Sequence, residues 1–116
     1  MINWKELTSV EQWNDFLDQS EQNPLFVFKH STTCPISAEA LREFNQYLHE
    51  DPQRDVTYVL VKVIESRPVS NQIATDVEVK HESPQAIIIH HKQALWNASH
   101  WKITTKSIKE AMQTAF

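Results

Sequence analysis

Two short apolar segments, separated by one amphipathic stretch, set the strongest limit on how this chain can fold. Residues 25–28 are almost wholly apolar, and residues 56–63 are rich in β-branched side chains, so each has the pattern of a covered strand. Between them, apolar residues recur at the spacing of one helix face: Ala38, Leu41, Phe44 and Leu48. A strand, a helix and a second strand predict a βαβ unit with parallel pairing and a right-handed crossover.

Three further segments carry helical signals. They are a capping box at residues 8–11, a proline-initiated segment at Arg67-Pro68, and a cap at Thr104-Thr105. The spacing of Val10, Trp13, Phe16 and Leu17 extends the first of these into a helix. The chain is therefore predicted to alternate helices with strands along its whole length.

A β-hairpin is predicted near the C-terminus. Residues 85–90 and 94–98 have strand patterns, and His91-Lys92 separates them. The chain contains no glycine, so residues of other types must carry any positive φ in its turns. The full prediction is an α/β fold in which a mixed, four-stranded central sheet is flanked by about four helices, within one domain over residues 1–116.

Composition and charge exclude several classes of function. The chain is 41% hydrophobic and 22% charged, which is typical of a folded globular protein. No apolar run approaches membrane-spanning length, and the N-terminal residues lack the pattern of a secretory signal, so a cytoplasmic location is expected. The net charge of −4 comes without a basic block, so neither nucleic acid nor a membrane surface is an expected partner.

The only cysteine, Cys34, stands in the sequence HSTTCPIS between the first strand and the following helix. A single cysteine forms no internal disulfide, which leaves packing, metal binding or chemistry with a partner. Its predicted position is at or next to the N-cap of the helix, where unpaired N–H groups favour a thiolate. The polar Ser-Thr-Thr stretch before it favours a reactive cysteine over a buried, inert one.

Neighbouring polar residues allow two interpretations each. Ser37 either donates its hydroxyl to the sulfur of Cys34 or is only a first-turn serine. Thr33 either contacts a bound thiol or satisfies a loop amide. His30 is a possible base, although a histidine that merely ends a strand is the favoured interpretation. Arg67 either holds the carboxylates of a small anionic thiol or is a solvated surface residue.

The remaining histidines and tryptophans carry weaker signals. His90, His91 and His100 invite a metal hypothesis, but no cysteine or carboxylate falls at a familiar zinc spacing, and no metal site is predicted. Trp96 and Trp101 are candidates for a client-binding surface, although aromatic residues near a hairpin usually pack into the core.

The element order, with a cysteine at the first strand-to-helix junction, resembles the thioredoxin fold. In that family a cis-proline begins the strand after the third helix, and Ser83-Pro84 stands at this position. The alternative is a trans proline that starts an edge strand. Cys34-Pro35-Ile36-Ser37 is similar to the glutaredoxin motif with serine in place of the second cysteine. The wider sequence, including Glu82-Ser83-Pro84-Gln85, resembles the monothiol bacilliredoxins, general stress proteins of bacteria that use bacillithiol.

The resemblance implies a monothiol thiol-disulfide oxidoreductase. Cys34 would attack mixed disulfides on client proteins and remove bacillithiol, a low-molecular-weight thiol that acts as co-substrate, with no tightly bound cofactor. The residues expected to form the substrate groove are Thr33, Pro35, Ile36, Ser37, Ser83 and Pro84. Two other functions stay open: an iron–sulfur cluster carrier of the glutaredoxin type, and a redox-silent module that binds clients, whose binding would survive Cys34→Ser.

Overall fold

The computed structural model describes residues 3–50 and 52–115 of the 116-residue chain. Its strands are β1 (Lys5–Leu7), β2 (Leu25–His30), β3 (Thr57–Lys62), β4 (Gln85–His90) and β5 (Gln93–Ser99). Its helices are α1 (Val10–Gln19), α2 (Pro35–Glu50), α3 (Arg67–Asp76) and α4 (Thr105–Ala115), with a short 3₁₀ helix at His100–Lys102. Among the described helices, none combines the length and the apolar character needed to cross a membrane.

The strands form one mixed sheet in the order β1-β3-β2-β4-β5. Strands β1, β2 and β3 run parallel, whereas β4 is antiparallel to β2 and β5 is antiparallel to β4. The mixed α/β architecture agrees with the sequence prediction, but the sheet has five strands instead of four. The additional strand, β1, has three residues, of which only Leu7 is buried. Such a short segment shows no alternating pattern that would identify it.

Helices cover both faces of the sheet, and each face has its own core. On one face Phe26 and Phe28 pack with residues of α2 and α4. On the other face Val27 packs with residues of α1 and α3. Successive side chains of a strand point to opposite faces, and because helices cover both faces all six residues of β2 are buried. Neighbouring residues of β2 therefore contact different halves of the molecule.

The turn between β4 and β5 is built without glycine. His91 and Lys92 both have positive φ, at 53° and 63°. Buried Ser20, at the end of α1, holds the turn by accepting the N–H of His91 at its carbonyl oxygen (2.8 Å) and the N–H of Lys92 at its hydroxyl (3.0 Å). These hydrogen bonds offset the local cost of a left-handed backbone in residues with a Cβ atom.

Candidate active site

Cys34 occupies the N-cap of α2, as the sequence predicts. Its carbonyl oxygen accepts the N–H of Ala38 at 3.0 Å, which is the first hydrogen bond of the helix, and its own N–H donates to the carbonyl of Ser31 at 3.3 Å. The thiol side chain is neither fully buried nor freely exposed. Since Pro35 has no N–H, any backbone donor to the sulfur must come from the residues after it. The site thus combines an accessible thiol with the positive end of a helix dipole.

Ser37 is fully buried and bonds away from the sulfur. Its hydroxyl oxygen accepts the N–H of Ser31 at 2.9 Å and lies 2.8 Å from Nδ1 of His30. With the proton of His30 on Nε2, Nδ1 accepts the hydroxyl proton, which leaves none for Cys34. No hydrogen bond joins Ser37 to Cys34 in the described part of the chain. Of the two interpretations of Ser37, the structure therefore favours a first-turn serine that holds the loop over a serine that donates to sulfur.

His30 ends β2 and anchors the loop of residues 31–34. Burial lowers the pKa of His30, while the charge of Glu65 raises it and that of Lys62 lowers it. A lowered pKa keeps the ring neutral near pH 7, and a neutral ring can accept from Ser37. The structure favours the interpretation of His30 as a residue that ends a strand, with the added task of fixing Ser37.

The outer side of the Cys34 loop is exposed and polar. Thr32 donates its hydroxyl to the carboxylate of Glu65 at 2.9 Å. The Thr33 hydroxyl lies 3.4 Å from that of Ser31, so it engages the loop while the residue stays exposed. Pro35 is exposed and Ile36 is partly buried. Three of the predicted groove residues, Thr33, Pro35 and Ile36, thus remain accessible beside the thiol.

The peptide bond between Ser83 and Pro84 is cis, which confirms that expectation. In the ladder between β2 and β4, Lys29 pairs with Gln85, so the preceding Pro84 lies across from His30, at the end of the sheet where the Cys34 loop begins. The carbonyl oxygen of Pro84 accepts the N–H of His100 at 3.0 Å. The fold therefore brings the two predicted segments, Cys34-Pro35 and Ser83-Pro84, to the same end of the sheet.

Lys29 is a buried residue of this region that sequence reasoning missed. It is fully buried, and its ammonium donates to the carbonyl of Ser70 at 3.1 Å and lies 3.2 Å from Nδ1 of His81. Burial lowers its pKa from 10.5 to about 8. Lysine is rarely buried, so the residue type did not predict a buried position. The available signal was its position: it directly follows an apolar run whose strand is covered on both faces.

The other predicted residues are more widely spread. Arg67 begins α3 as an exposed residue, and its charge helps to lower the pKa of His81. His100 lies at the Pro84 end of β5, whereas His90 and His91 lie at the opposite end, so the structure separates the three histidines of the metal hypothesis.

The tryptophans differ from the prediction in one case. Trp96 is partly buried and packs against the core on the α2 and α4 side. Trp101 is 69% exposed, so the expectation that it packs into the core is wrong. It belongs to the 3₁₀ helix that follows β5 instead of to the hairpin, and there it leaves the sheet surface.

A thiol at a helix N-cap, at the sheet end that also holds a cis-proline, defines a thioredoxin-fold thiol protein. Solved structures agree with this class. The chain is similar, with a TM-score of 0.80, to a thioredoxin-fold protein described as a candidate oxidoreductase, at 38% identity over 93% of this chain and 92% of the other.

More distant structures share the fold alone. The thioredoxin of Fasciola hepatica aligns with a TM-score of 0.75 at 11% identity, over 95% of this chain and 97% of that one. The thioredoxin of Trypanosoma brucei brucei aligns with a TM-score of 0.74 at 16% identity, over 97% and 90%.

The sequence model of the monothiol bacilliredoxin family, BrxC, matches residues 5–108. The chain therefore belongs to the monothiol bacilliredoxin family, and it is a thiol-disulfide oxidoreductase.

Proposed function

We propose that this oxidoreductase removes bacillithiol from cysteines of client proteins in the cytoplasm, with Cys34 as the attacking residue. The observation that carries the proposal is the position of the only thiol. It caps α2 at the sheet end that holds cis-Pro84, beside exposed loop residues and with no second cysteine in the chain. A helix N-terminus favours the thiolate, which is the nucleophilic form.

The first step is a thiol-disulfide exchange. The Cys34 thiolate attacks the bacillithiol sulfur of the client's mixed disulfide, a new bond forms between the two sulfurs, and the bond to the client sulfur breaks. The client cysteine leaves as a thiolate and takes a proton from water. No electrons are gained or lost overall, because one disulfide replaces another. The protein is left carrying bacillithiol on Cys34.

The second step requires an external thiol. Ser37 stands where a dithiol enzyme has its second cysteine, and a hydroxyl does not reduce a disulfide. A second thiol of low molecular weight, bacillithiol itself in this proposal, attacks the bacillithiol sulfur on Cys34 and leaves as a symmetric disulfide. Cys34 returns as the thiolate. The adduct on Cys34 is therefore expected to persist until such a thiol is added.

The groove for this exchange is proposed to lie between the Cys34 loop and the Pro84 segment. Thr33, Pro35 and Ile36 form its exposed side at the start of α2, and Ser83 and Pro84 form the other. Bacillithiol is a co-substrate in this scheme, and no tightly bound cofactor takes part. Arg67, exposed at the start of α3, offers a forked donor suited to the carboxylates of such a thiol.

Intact-mass measurement tests the proposal. Reduced wild type and Cys34→Ala are mixed with a client that carries bacillithiol on one cysteine, and in parallel with the same client carrying glutathione. We expect the wild type to gain the mass of bacillithiol while the client loses it, and Cys34→Ala to gain nothing. Weaker transfer from the glutathione client would indicate selectivity for bacillithiol.

Other outcomes of these experiments would favour a different function. If neither client lost its thiol between neutral and mildly alkaline pH, the exchange function would be rejected. Visible absorbance of freshly isolated protein would then favour a cluster carrier. Client capture that survives Cys34→Ser would favour a binding module.

A further inference from the structure

A buried lysine connects the strand that leads to Cys34 with the segment that carries Pro84. We call residues 77–84, between α3 and β4, the Pro84 loop. From β2, the ammonium of Lys29 donates to the carbonyl of Ser70 in α3 at 3.1 Å and lies 3.2 Å from Nδ1 of His81 in the Pro84 loop. One side chain therefore joins a strand, a helix and the loop.

The surroundings of Lys29 do not neutralise its charge. Among the described residues, no carboxylate forms an ion pair with it, and burial alone accounts for its lowered pKa. An ammonium that is removed from water without an opposite charge costs free energy. A chain that needed only a filled core at this position would be more stable with an apolar side chain. The position of the charge therefore requires an explanation beyond packing.

A second contact ties the same loop to the sheet. Gln85 lies directly across the ladder from Lys29, and its amide donates to the carbonyl of Lys80 at 3.0 Å. The amide oxygen of Gln85 is buried and has no hydrogen-bond partner among the described residues. Lys29 and Gln85 thus form a polar cluster that contacts the Pro84 loop at His81 and Lys80, while Lys29 also bonds to Ser70 in α3.

We propose that Lys29 is a positioning residue, which holds the Pro84 loop through His81 at the place where a client's mixed disulfide meets Cys34. The inference rests on the proposed function, since it assumes that clients enter the groove between Cys34 and Pro84. A cis-proline segment that shifts by about 1 Å misplaces the disulfide and slows the exchange. The thiol itself is unaffected, because Ser37 and His30 fix its loop from the other face.

His81 is the point where pH acts on this contact. Its Nδ1 accepts from the ammonium only while the ring is unprotonated at that nitrogen. His81 is an exposed residue. Partial desolvation of its ring and the charges of Lys29 and Arg67 lower its pKa, and the charge of Glu82 raises it. In the parallel ladder between β2 and β3, the residue opposite Lys29 is Val61, which does not titrate. Acidification places two cations and two donors opposite each other, so the contact with Lys29 is lost and the Ser70 hydroxyl, 3.3 Å from Nδ1 of His81, is left as the partner of the ring. We expect the loop to be held less firmly as a result.

The first test needs no substrate. Hydrogen exchange of the backbone amides of residues 78–83 is compared in wild type, Lys29→Met and the matched control Lys62→Met, which removes a partly exposed lysine from the next strand. We expect exchange in the loop to rise by about tenfold in Lys29→Met and to stay unchanged in Lys62→Met. Unchanged exchange in Lys29→Met would overturn the inference.

The second test compares two replacements of His81. Transfer from the bacillithiol client is divided by the rate at which iodoacetamide alkylates Cys34, which removes the titration of the thiol. Asparagine keeps an acceptor and does not titrate, so His81→Asn is expected to keep its normalised transfer constant from pH 7 to pH 5. The normalised transfer of His81→Leu is expected to be about tenfold lower than that of wild type at pH 7, whereas the normalised transfer of wild type is expected to fall as the pH is lowered.

The two proposals fail in different ways. If wild type transfers no thiol at all, the proposed function is rejected, and loop exchange alone decides the positioning role of Lys29. If wild type transfers and His81→Leu matches it at pH 7, the exchange function stands and the positioning role is overturned.

Discussion

Lys29 and His30 are neighbours on β2, yet they support different segments from opposite faces of the sheet. His30 bonds to Ser37 at the start of α2, which fixes the Cys34 loop. Lys29 bonds to His81, which fixes the Pro84 loop. The first contact joins two neutral groups whose donors and acceptors match. The second contains a buried charge without a carboxylate partner.

Because of this difference, the two adjacent residues contribute differently to the stability of the fold and to the function of the site. The His30–Ser37 contact satisfies buried groups, so it stabilises the fold and the site together. The Lys29–His81 contact costs free energy because the ammonium is desolvated, so its contribution must lie in the placement of the loop. Variants that remove the two contacts are therefore expected to change stability in opposite directions.

The largest effect on stability is expected at Ser37. Ser37→Ala leaves the N–H of Ser31 and Nδ1 of His30 without a partner, and we expect the free energy of unfolding to fall by about 2–4 kcal/mol. Urea denaturation measures it, with Thr33→Ala, at an exposed position of the same loop, as the control. Equal stability of the two variants would mean that the Ser37 contact contributes nothing.

Lys29→Met should act in the opposite direction. We expect the free energy of unfolding at pH 7 to rise by about 1–2 kcal/mol, since the apolar side chain needs no desolvation of a charge. The pKa of Lys29 falls from 10.5 to about 8 on folding, so the unfolded chain binds more protons between these values. The free energy of unfolding of wild type therefore increases with pH over this range, and the difference in stability between Lys29→Met and wild type should shrink. If Lys29→Met were less stable than wild type at pH 7, burial of the Lys29 ammonium would not carry the expected cost in free energy.

His30 should give a smaller, acid-dependent effect. Its pKa is lowered by burial, so the folded state disfavours the protonated ring, and stability is lost as the pH falls below the ordinary value for histidine. His30→Asn keeps an acceptor for Ser37 but does not titrate. In acid, the loss of stability should be smaller in His30→Asn than in wild type. Thermal melts at pH 7 and pH 5 measure this loss. Equal losses of stability in wild type and His30→Asn would show that the titration of His30 does not cause it.

Trp101 should give the smallest effect. Its neighbour His100 holds Pro84 through a backbone N–H, and the Trp101 side chain is 69% exposed. We expect Trp101→Ala to change the free energy of unfolding by less than about 0.5 kcal/mol. A larger loss would show that a side chain, and not only the backbone, supports the Pro84 loop from the 3₁₀ helix after β5.

Periodic patterns predicted most of the fold. The βαβ unit, the hairpin and the four helices follow from the spacing of apolar residues and from capping residues, because these signals are local. Cys34 at the N-cap and the cis bond before Pro84 were also anticipated. Strand β1 was missed because three residues, one of them buried, form no pattern.

The polar contacts beneath the site were not predictable in the same way. For Ser37 the sequence left open whether its hydroxyl meets sulfur, and the partner found is seven positions earlier, at the end of β2. Lys29 meets His81 across 52 positions of sequence. Such contacts depend on how α2, α3 and β4 pack on β2, and no spacing along the chain encodes that packing.

Transfer of bacillithiol to Cys34 is tested most directly by a single-turnover experiment without any second thiol. Equimolar wild type and bacillithiol-modified client are mixed, and both the bacillithiol on the protein and the free client thiol are quantified by intact mass over time. We expect the two quantities to rise together, one adduct forming on Cys34 for each client thiol released, and the adduct to persist. Client thiol released without an adduct on the protein, or an adduct on Cys34→Ala, would contradict it.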